Sequence, residues 1–149
     1  MNRASIVLYH LCRLALGGVF VFAGAVKSQD VTAFAGEIAN YRILPYTLNY
    51  LAAATLPYVE VLAGAFLLAN RKVRPAALLV AALNVVFMIA LASAMVRGLD
   101  IDCGCFRAES ATTPAVALVR DAGFLLLAVI VFWLRGGRMP PSRPDDSEH

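Results

Sequence analysis

The chain has 149 residues, of which 60% are apolar and only 15% charged, with a formal net charge of +3. Soluble domains are nearer half apolar and a quarter charged, so this composition excludes an ordinary soluble domain. The length allows one domain. Basic residues lie between long apolar runs, which is typical of membrane topology rather than of a nucleic-acid partner. Three cysteines are too few for a disulfide-stapled miniprotein.

Four apolar stretches are long enough to cross a membrane, since a spanning helix needs about 20 residues. They cover about residues 6–26, 48–68, 76–96 and 114–134. We therefore predict an all-α fold, an integral membrane four-helix bundle surrounded by lipid. Arg13 interrupts the first stretch, which favours a retained helix over a cleaved signal peptide in spite of the Ala23-Gly24-Ala25 run.

Two segments outside the spans have recognisable patterns. Between the first two spans, Phe34, Ile38, Tyr41 and Leu44 recur at helical spacing, which predicts a short amphipathic helix at the membrane interface. Residues 139–149 are rich in Pro, Asp and Ser, which predicts a disordered cytoplasmic tail after a membrane domain of residues 1–138.

The distribution of Lys and Arg predicts the orientation. One side of the membrane carries basic residues with few acids, whereas acids dilute the basic residues on the other. The positive-inside rule then places both termini in the cytoplasm and the segment between spans three and four on the extracytoplasmic side. The cytoplasmic set is Arg3, Arg71, Lys72, Arg74, Arg135, Arg138 and Arg143, and the outer set is Lys27, Arg42, Arg97 and Arg107 with Asp30, Glu37, Asp100, Asp102 and Glu109.

The segment between spans three and four contains Cys103 and Cys105 on either side of Gly104. Glycine permits the tight backbone that brings two such sulfurs together. A ring this small closes almost no loop, so it adds little stability, and its strain makes a disulfide easy to reduce. Outside the membrane, where disulfides persist, these properties favour thiol–disulfide exchange. A soft-metal site for Cu(I) and an inert structural pair are the alternatives.

Charged residues inside the predicted spans form the second set of candidates, because each unpaired charge there costs at least a few kcal/mol. At about 1.5 Å per residue, Arg13 and Glu60 have matching depths and are the preferred pair. Lys27, at the outer end of the first span, could partner Asp121. For all of these residues, a structural pairing that sets the helix register is the competing interpretation.

Arg120 and Asp102 are the candidates for tuning the cysteines. Arg120 lies about 10 Å below the outer surface, where its charge would stabilise a thiolate. Asp102, next to Cys103, would oppose the thiolate or accept a proton during exchange. Cys12 lies some 20 Å of helix away from the outer end and is expected to be a buried, unreactive thiol.

Several of these residues carry a family resemblance. They are Arg13; the run Phe22-Ala23-Gly24-Ala25-Val26-Lys27; Tyr41 with Leu44-Pro45; Pro57 with Glu60 and Gly64; Asp102-Cys103-Gly104-Cys105-Phe106; and Arg120-Asp121. With them the chain resembles, up to about Gly136, the MauE family of methylamine-utilisation membrane proteins, relatives of the DoxX-like four-helix group. Two positions depart from the family pattern, which usually has glycine at Arg107 and often has asparagine at Asp121.

The resemblance implies a role in maturing periplasmic proteins, in particular the disulfide-rich small subunit of methylamine dehydrogenase, alongside a thioredoxin-like partner. It also implies that many members serve other client proteins. The activity predicted is thiol–disulfide exchange, in which Cys103 or Cys105 attacks and the other cysteine resolves the mixed disulfide. Moving electrons across the membrane would need a quinone, for which the region of Pro57 is a candidate, or a second thiol pair, which the sequence lacks. The alternatives are a soft-metal or small-solute binding or transport protein and a non-redox assembly factor.

Overall fold

The computed structural model describes residues 2–99 and 113–136, and these residues form five α-helices. The helices are α1 (Arg3–Gln29), α2 (Val31–Asn40), α3 (Tyr46–Leu68), α4 (Val73–Val96) and α5 (Pro114–Gly136). All except α2 are long and apolar enough to cross a membrane, so the prediction of a multi-pass all-helical membrane protein is confirmed. The predicted ends of the spans lie within about three residues of the observed ends, the usual uncertainty of such boundaries.

The four long helices form an antiparallel ring. The α1 helix packs most extensively on α3 and α4 on α5, while the α3–α4 and α1–α5 contacts close the ring. We call the end where α1 and α4 finish and α3 and α5 begin the loop end. The half of the bundle away from the loop end has a closely packed apolar core that includes Tyr9, Leu16, Leu67, Val80 and Val131, all fully buried.

The α1 and α3 helices approach each other so closely that their backbones touch. A Cβ atom on Gly24 would lie 2.5 Å from the carbonyl oxygen of Pro57, and one on Gly64 would lie 2.7 Å from that of Gly17. Small residues permit this approach, which is a common way for helices to associate in lipid. Pro57 stands inside α3, which continues on both sides of it. The glycines therefore fix which faces of α1 and α3 meet.

The short helix α2 confirms the prediction of a helix between the first two spans. Asp30 alone separates it from α1, and its side chain caps α2 by accepting a hydrogen bond from the backbone N–H of Ala33 at 2.9 Å. Phe34 and Ala35 are buried against Ala53 of α3. The helix thus covers the part of α3 that extends past the end of α1.

The α4 helix ends at the loop end in a Schellman motif. Gly98 takes the left-handed conformation with φ of 64°, and the N–H of Leu99 donates to the carbonyl oxygen of Ala94. The segment that joins the loop ends of α4 and α5 contains Asp102, Cys103 and Cys105. These three residues and the predicted tail of residues 139–149 lie outside the described residues.

Candidate functional site

Every long helix contributes a polar side chain to a single cavity in the bundle. The cavity has a volume of about 30 Å³, and its remaining wall is apolar and includes Phe20, Phe87 and Phe124. The polar residues that line it, which we call the polar junction, are Lys27 from α1, Glu60 from α3, Asn84 from α4, and Arg120 and Asp121 from α5. The helices α1, α4 and α5 thus place polar side chains next to Glu60 of α3, although these residues are far apart in the sequence.

An ion pair between Lys27 and Glu60 forms the centre of the polar junction. Lys27 Nζ donates to both carboxylate oxygens of Glu60, at 2.7 Å and 3.0 Å. The two residues are only 7% and 2% exposed. Side chains of a helix lean towards its N-terminus, so those of antiparallel α1 and α3 lean towards each other. The predicted Arg13–Glu60 pair is therefore wrong, because Lys27 reaches Glu60 from the opposite direction.

Lys27 also holds aromatic rings from two other helices. Its Nζ lies 5.3 Å from the ring centroid of Phe34 in α2 and 5.0 Å from that of Phe87 in α4. Both distances are within the range of cation–π attraction, which is stronger where water is excluded. One ammonium group thereby links α1 to α2, α3 and α4, and these contacts offset the cost of burying its charge.

The second ion pair of the polar junction lies within α5. Arg120 Nε and Nη2 donate to Asp121 Oδ1 at 3.2 Å and 3.1 Å. Asp121 is buried, whereas the Arg120 side chain is 25% exposed. Lys27 donates its ion-pair hydrogen bonds to Glu60, so the predicted Lys27–Asp121 pair is wrong. The prediction that these two residues approach each other was sound, since both line the same cavity.

Asn84 was missed by the sequence interpretation. It is 4% exposed, and within the described part of the chain its Nδ2 atom has no hydrogen-bond partner. A signal was available, because Asn84 is the one polar side chain between Arg74 and Ser93 in the middle of a span. Polar side chains in such positions usually face a neighbouring helix or a cavity.

Arg13 lies away from the polar junction and binds the end of α3. Its Nη1 atom donates to the carbonyl oxygens of Leu67 at 2.5 Å and Leu68 at 2.9 Å. The last carbonyls of a helix have no partner within it and carry partial negative charge, so a cation is stabilised there. Arg13 also lies over the ring of Tyr9, at 5.9 Å from its centroid. These contacts hold α1 against the end of α3, which is a structural role.

The remaining candidate features, a free thiol, a metal site and an apolar groove, concern other parts of the bundle. Cys12 is a buried free thiol in the apolar core away from the loop end. Among residues 2–99 and 113–136, no three His, Cys, Asp or Glu side chains are grouped to hold a metal. An apolar groove of about 310 Å³ runs between α2, α3 and α4, with Leu56 and Phe87 in its wall. Its lining is almost entirely apolar.

Comparison with known proteins gives consistent matches. The family model described as methylamine utilisation protein MauE matches residues 5–134. The methylamine utilization protein MauE of Paracoccus denitrificans is 41% identical over 96 residues, 64% of this chain and 52% of the relative. The protein of the same name from Methylophilus methylotrophus is 40% identical over 108 residues, 72% of this chain and 56% of the relative. The chain thus spans about half the length of the curated relatives it matches. No solved structure matches it.

Proposed function

Because the chain belongs to the MauE family, we propose that it supports disulfide formation or exchange in an extracytoplasmic client protein of the methylamine dehydrogenase type. In this proposal Cys103 and Cys105 face the outside of a bacterial inner membrane, and both termini lie in the cytoplasm. Arg71 and Lys72 lie between α3 and α4, and Arg74 lies in the first turn of α4, all at the end of the bundle away from the loop end, which supports this orientation.

The observation that carries the proposal is the position of Arg120 in α5, the helix that follows the cysteine segment in the chain. That segment leads directly into α5, and Arg120 follows about 9 Å from the start of this helix. Arg120 is partly exposed and borders the polar junction. A cation at this depth, just after the segment, is suited to stabilise a thiolate formed by Cys103 or Cys105.

The proposed reaction consists of two thiol–disulfide exchanges. A client thiolate attacks the Cys103–Cys105 disulfide, forms a mixed disulfide and displaces one cysteine as a thiolate. The client's second thiolate then attacks the mixed disulfide, so the client gains a disulfide and the cysteine pair is left reduced. A thioredoxin-like partner in its disulfide form reoxidises the pair by the same two steps and leaves as a dithiol. Electrons and protons balance, and Arg120 would act as a positioning residue.

Trapping of the mixed disulfide tests this proposal. Cys103→Ser and Cys105→Ser are expressed separately in the native host, and membranes are resolved without reductant. One variant should accumulate a mixed disulfide with a thioredoxin-fold protein, because its remaining cysteine attacks the partner's disulfide and the resolving cysteine is absent. Cys12→Ser is the matched control, and its buried position predicts no change in trapping. Failure of both variants to trap a partner, together with tight Cu(I) binding by the wild-type protein, would contradict the proposal and favour a metal site.

The role of Arg120 has its own test. Arg120→Gln should slow alkylation of the cysteine pair by roughly threefold to tenfold at neutral pH, because less thiolate is present. Arg120→Lys keeps the charge and should retain most of the wild-type rate. Equal alkylation rates in all three proteins, with unchanged thermal stability, would remove Arg120 from the mechanism.

A further inference from the structure

The polar junction has more hydrogen-bonding capacity than its side chains use. Asn84 Nδ2 is a buried donor without a partner among the described residues. Leaving such a donor unpaired is unfavourable, because burial removes the hydrogen bonds that it would make with water. The carboxylate of Asp121, to whose Oδ1 Arg120 donates, lines the same cavity, and a carboxylate has about four lone-pair sites for hydrogen bonds. A donor and an acceptor therefore border the same cavity, and they come from different helices.

A water molecule fits this cavity. Its volume of about 30 Å³ is enough for at least one water, which needs two to four polar partners to be held in a protein interior. Asn84 Nδ2 can donate to it, and the carboxylates of Asp121 and Glu60 can accept from it. We propose that the polar junction is an internal water site through which a proton passes between Asp121 and Glu60.

The charges around the site suit this role. Lys27 and Arg120 balance Glu60 and Asp121, while α4 contributes the neutral Asn84 and α2 the ring of Phe34. The polar junction thus has no net formal charge when all four groups are ionised. Acidic side chains that face a cavity inside a membrane bundle often mark proton relays. A Lys–Glu pair without space beside it would be a static structural link.

The transfer needs only a proton from the water at the loop end. Asp121 lies about 10 Å from the start of α5, and the partly exposed Arg120 beside it shows where the polar junction approaches the surface. The Asp121 carboxylate, which is paired with Arg120, first takes up this proton. The resulting carboxyl then gives its proton to the cavity water, and the water gives another proton to the Glu60 carboxylate. One O–H bond breaks on Asp121 and one forms on Glu60, while Lys27 turns from an ion pair to a hydrogen bond with the neutral acid. The helices need not move.

Infrared difference spectroscopy after a pH jump tests proton binding directly. The full chain in lipid nanodiscs should show C=O stretch bands of protonated carboxylic acids, of which one disappears in Glu60→Gln and another in Asp121→Asn. The band of each acid should shift when the other acid is substituted, and Asn84→Leu should abolish this coupling by displacing the water. Asn49→Leu is the matched control, because Asn49 is also a buried amide but lies in a separate pocket between α2 and α3. It should leave both bands unchanged.

The water itself can be detected in the wild-type protein, which avoids reliance on variants of Glu60 that fold poorly. Hydroxyl radicals made from bound water by X-ray radiolysis should label Phe20, Phe87 or Phe124 in the cavity wall. Asn84→Leu should reduce this labelling at least about twofold, since the water loses its site. The inference is overturned if the wild-type rings are labelled no more than the lipid background, or if neither acid titrates over the pH range in which the protein stays folded. Cys103→Ser and Cys105→Ser should leave both readouts unchanged, so this test is independent of thiol exchange.

Discussion

Arg13 and Lys27 are two buried cations on the same helix, but their hydrogen-bond partners differ. They lie about 20 Å apart along α1, and each is 7% exposed. Arg13 donates to two backbone carbonyls, with His10 Nδ1 at 3.4 Å from its Nη2, whereas Lys27 pairs with the carboxylate of Glu60. A carbonyl keeps the same protonation state at every pH of interest, but a carboxylate can accept a proton. The two shortest contacts of Arg13 therefore serve structure, whereas the partner of Lys27 can also take part in chemistry.

The packing around Arg13 also differs from the packing around Lys27. Next to Arg13 the core is closely packed, with Tyr9, Leu16 and Leu67 fully buried. Next to Lys27 the bundle has a cavity, which Asn84 also lines. Among the described residues each region has a buried donor without a partner, Arg13 Nε in one and Asn84 Nδ2 in the other, so the cavity is what distinguishes them. Natural interiors rarely keep such space without a reason. Packing around Lys27 is thus less close than packing around Arg13.

The largest expected effect comes from removing the acid that pairs with Lys27. Glu60→Leu leaves a buried ammonium without its counter-ion and should destabilise the fold by about 3–5 kcal/mol. Unfolding in mixed micelles with increasing denaturing detergent measures this change. The double variant Lys27→Met/Glu60→Leu should recover most of the loss. If the double variant is instead destabilised by the sum of the two single effects, the pair is not coupled and the contrast with Arg13 fails.

A smaller loss is expected at Arg13. Arg13→Met removes two charge-assisted hydrogen bonds, of which the one to Leu68 has no replacement, whereas the carbonyl of Leu67 still accepts from the N–H of Asn70. We expect destabilisation of about 2–3 kcal/mol in the same unfolding assay. Infrared carboxyl bands should be unchanged, because Arg13 does not line the polar junction. A change in those bands would show that the two ends of α1 are coupled.

The contact between α1 and α3 offers a comparison along the same helix. Gly24→Ala, near Lys27, would bring Cβ to 2.5 Å from the Pro57 carbonyl oxygen, so the helices must separate. Overpacking of this kind costs about 1–3 kcal/mol. Gly18→Ala is the control, since a Cβ there meets nothing within 4 Å. The thermal unfolding temperature of Gly24→Ala should lie well below that of Gly18→Ala. Similar temperatures for the two variants would show that the backbones of α1 and α3 do not touch near Gly24.

Asn84→Leu should have the smallest effect on stability. The change removes an unpaired buried donor and fills part of the cavity, so the free energy of unfolding should change by about 1 kcal/mol or less. Asn84→Ala, which enlarges the cavity, should be the less stable of the two variants. A large loss in Asn84→Leu would mean that the amide makes an essential hydrogen bond with a side chain and would remove the need for water.

The helices could be predicted from the sequence because their signal is local. Long apolar runs give α1, α3, α4 and α5, and the spacing of Phe34 and Ile38 gives α2. The pairing of charges could not be predicted in the same way. Depth counted from the predicted ends of the spans suggested Arg13 for Glu60, but Arg13 lies level with Leu67 and Leu68, about 10 Å past Glu60 along α3. Such a count also ignores the direction in which side chains lean. Asn84 was not predicted because it is uncharged, and only charged residues were considered as candidates inside the spans.

The sequence by itself determined that the chain crosses the membrane with four helices, that a short helix lies between the first two, and which residues bear the resemblance to MauE. These properties follow from composition and spacing along one segment at a time, since lipid requires each span to satisfy its own backbone. Only the tertiary structure decided that Lys27 meets Glu60, that Arg13 binds the end of α3, and that Asn84 and Asp121 share a cavity. The first two of these contacts depend on the register of α1 against α3, which Gly17, Gly24 and Gly64 set by backbone contact. Such a register is a property of two surfaces together, so neither helix specifies it alone.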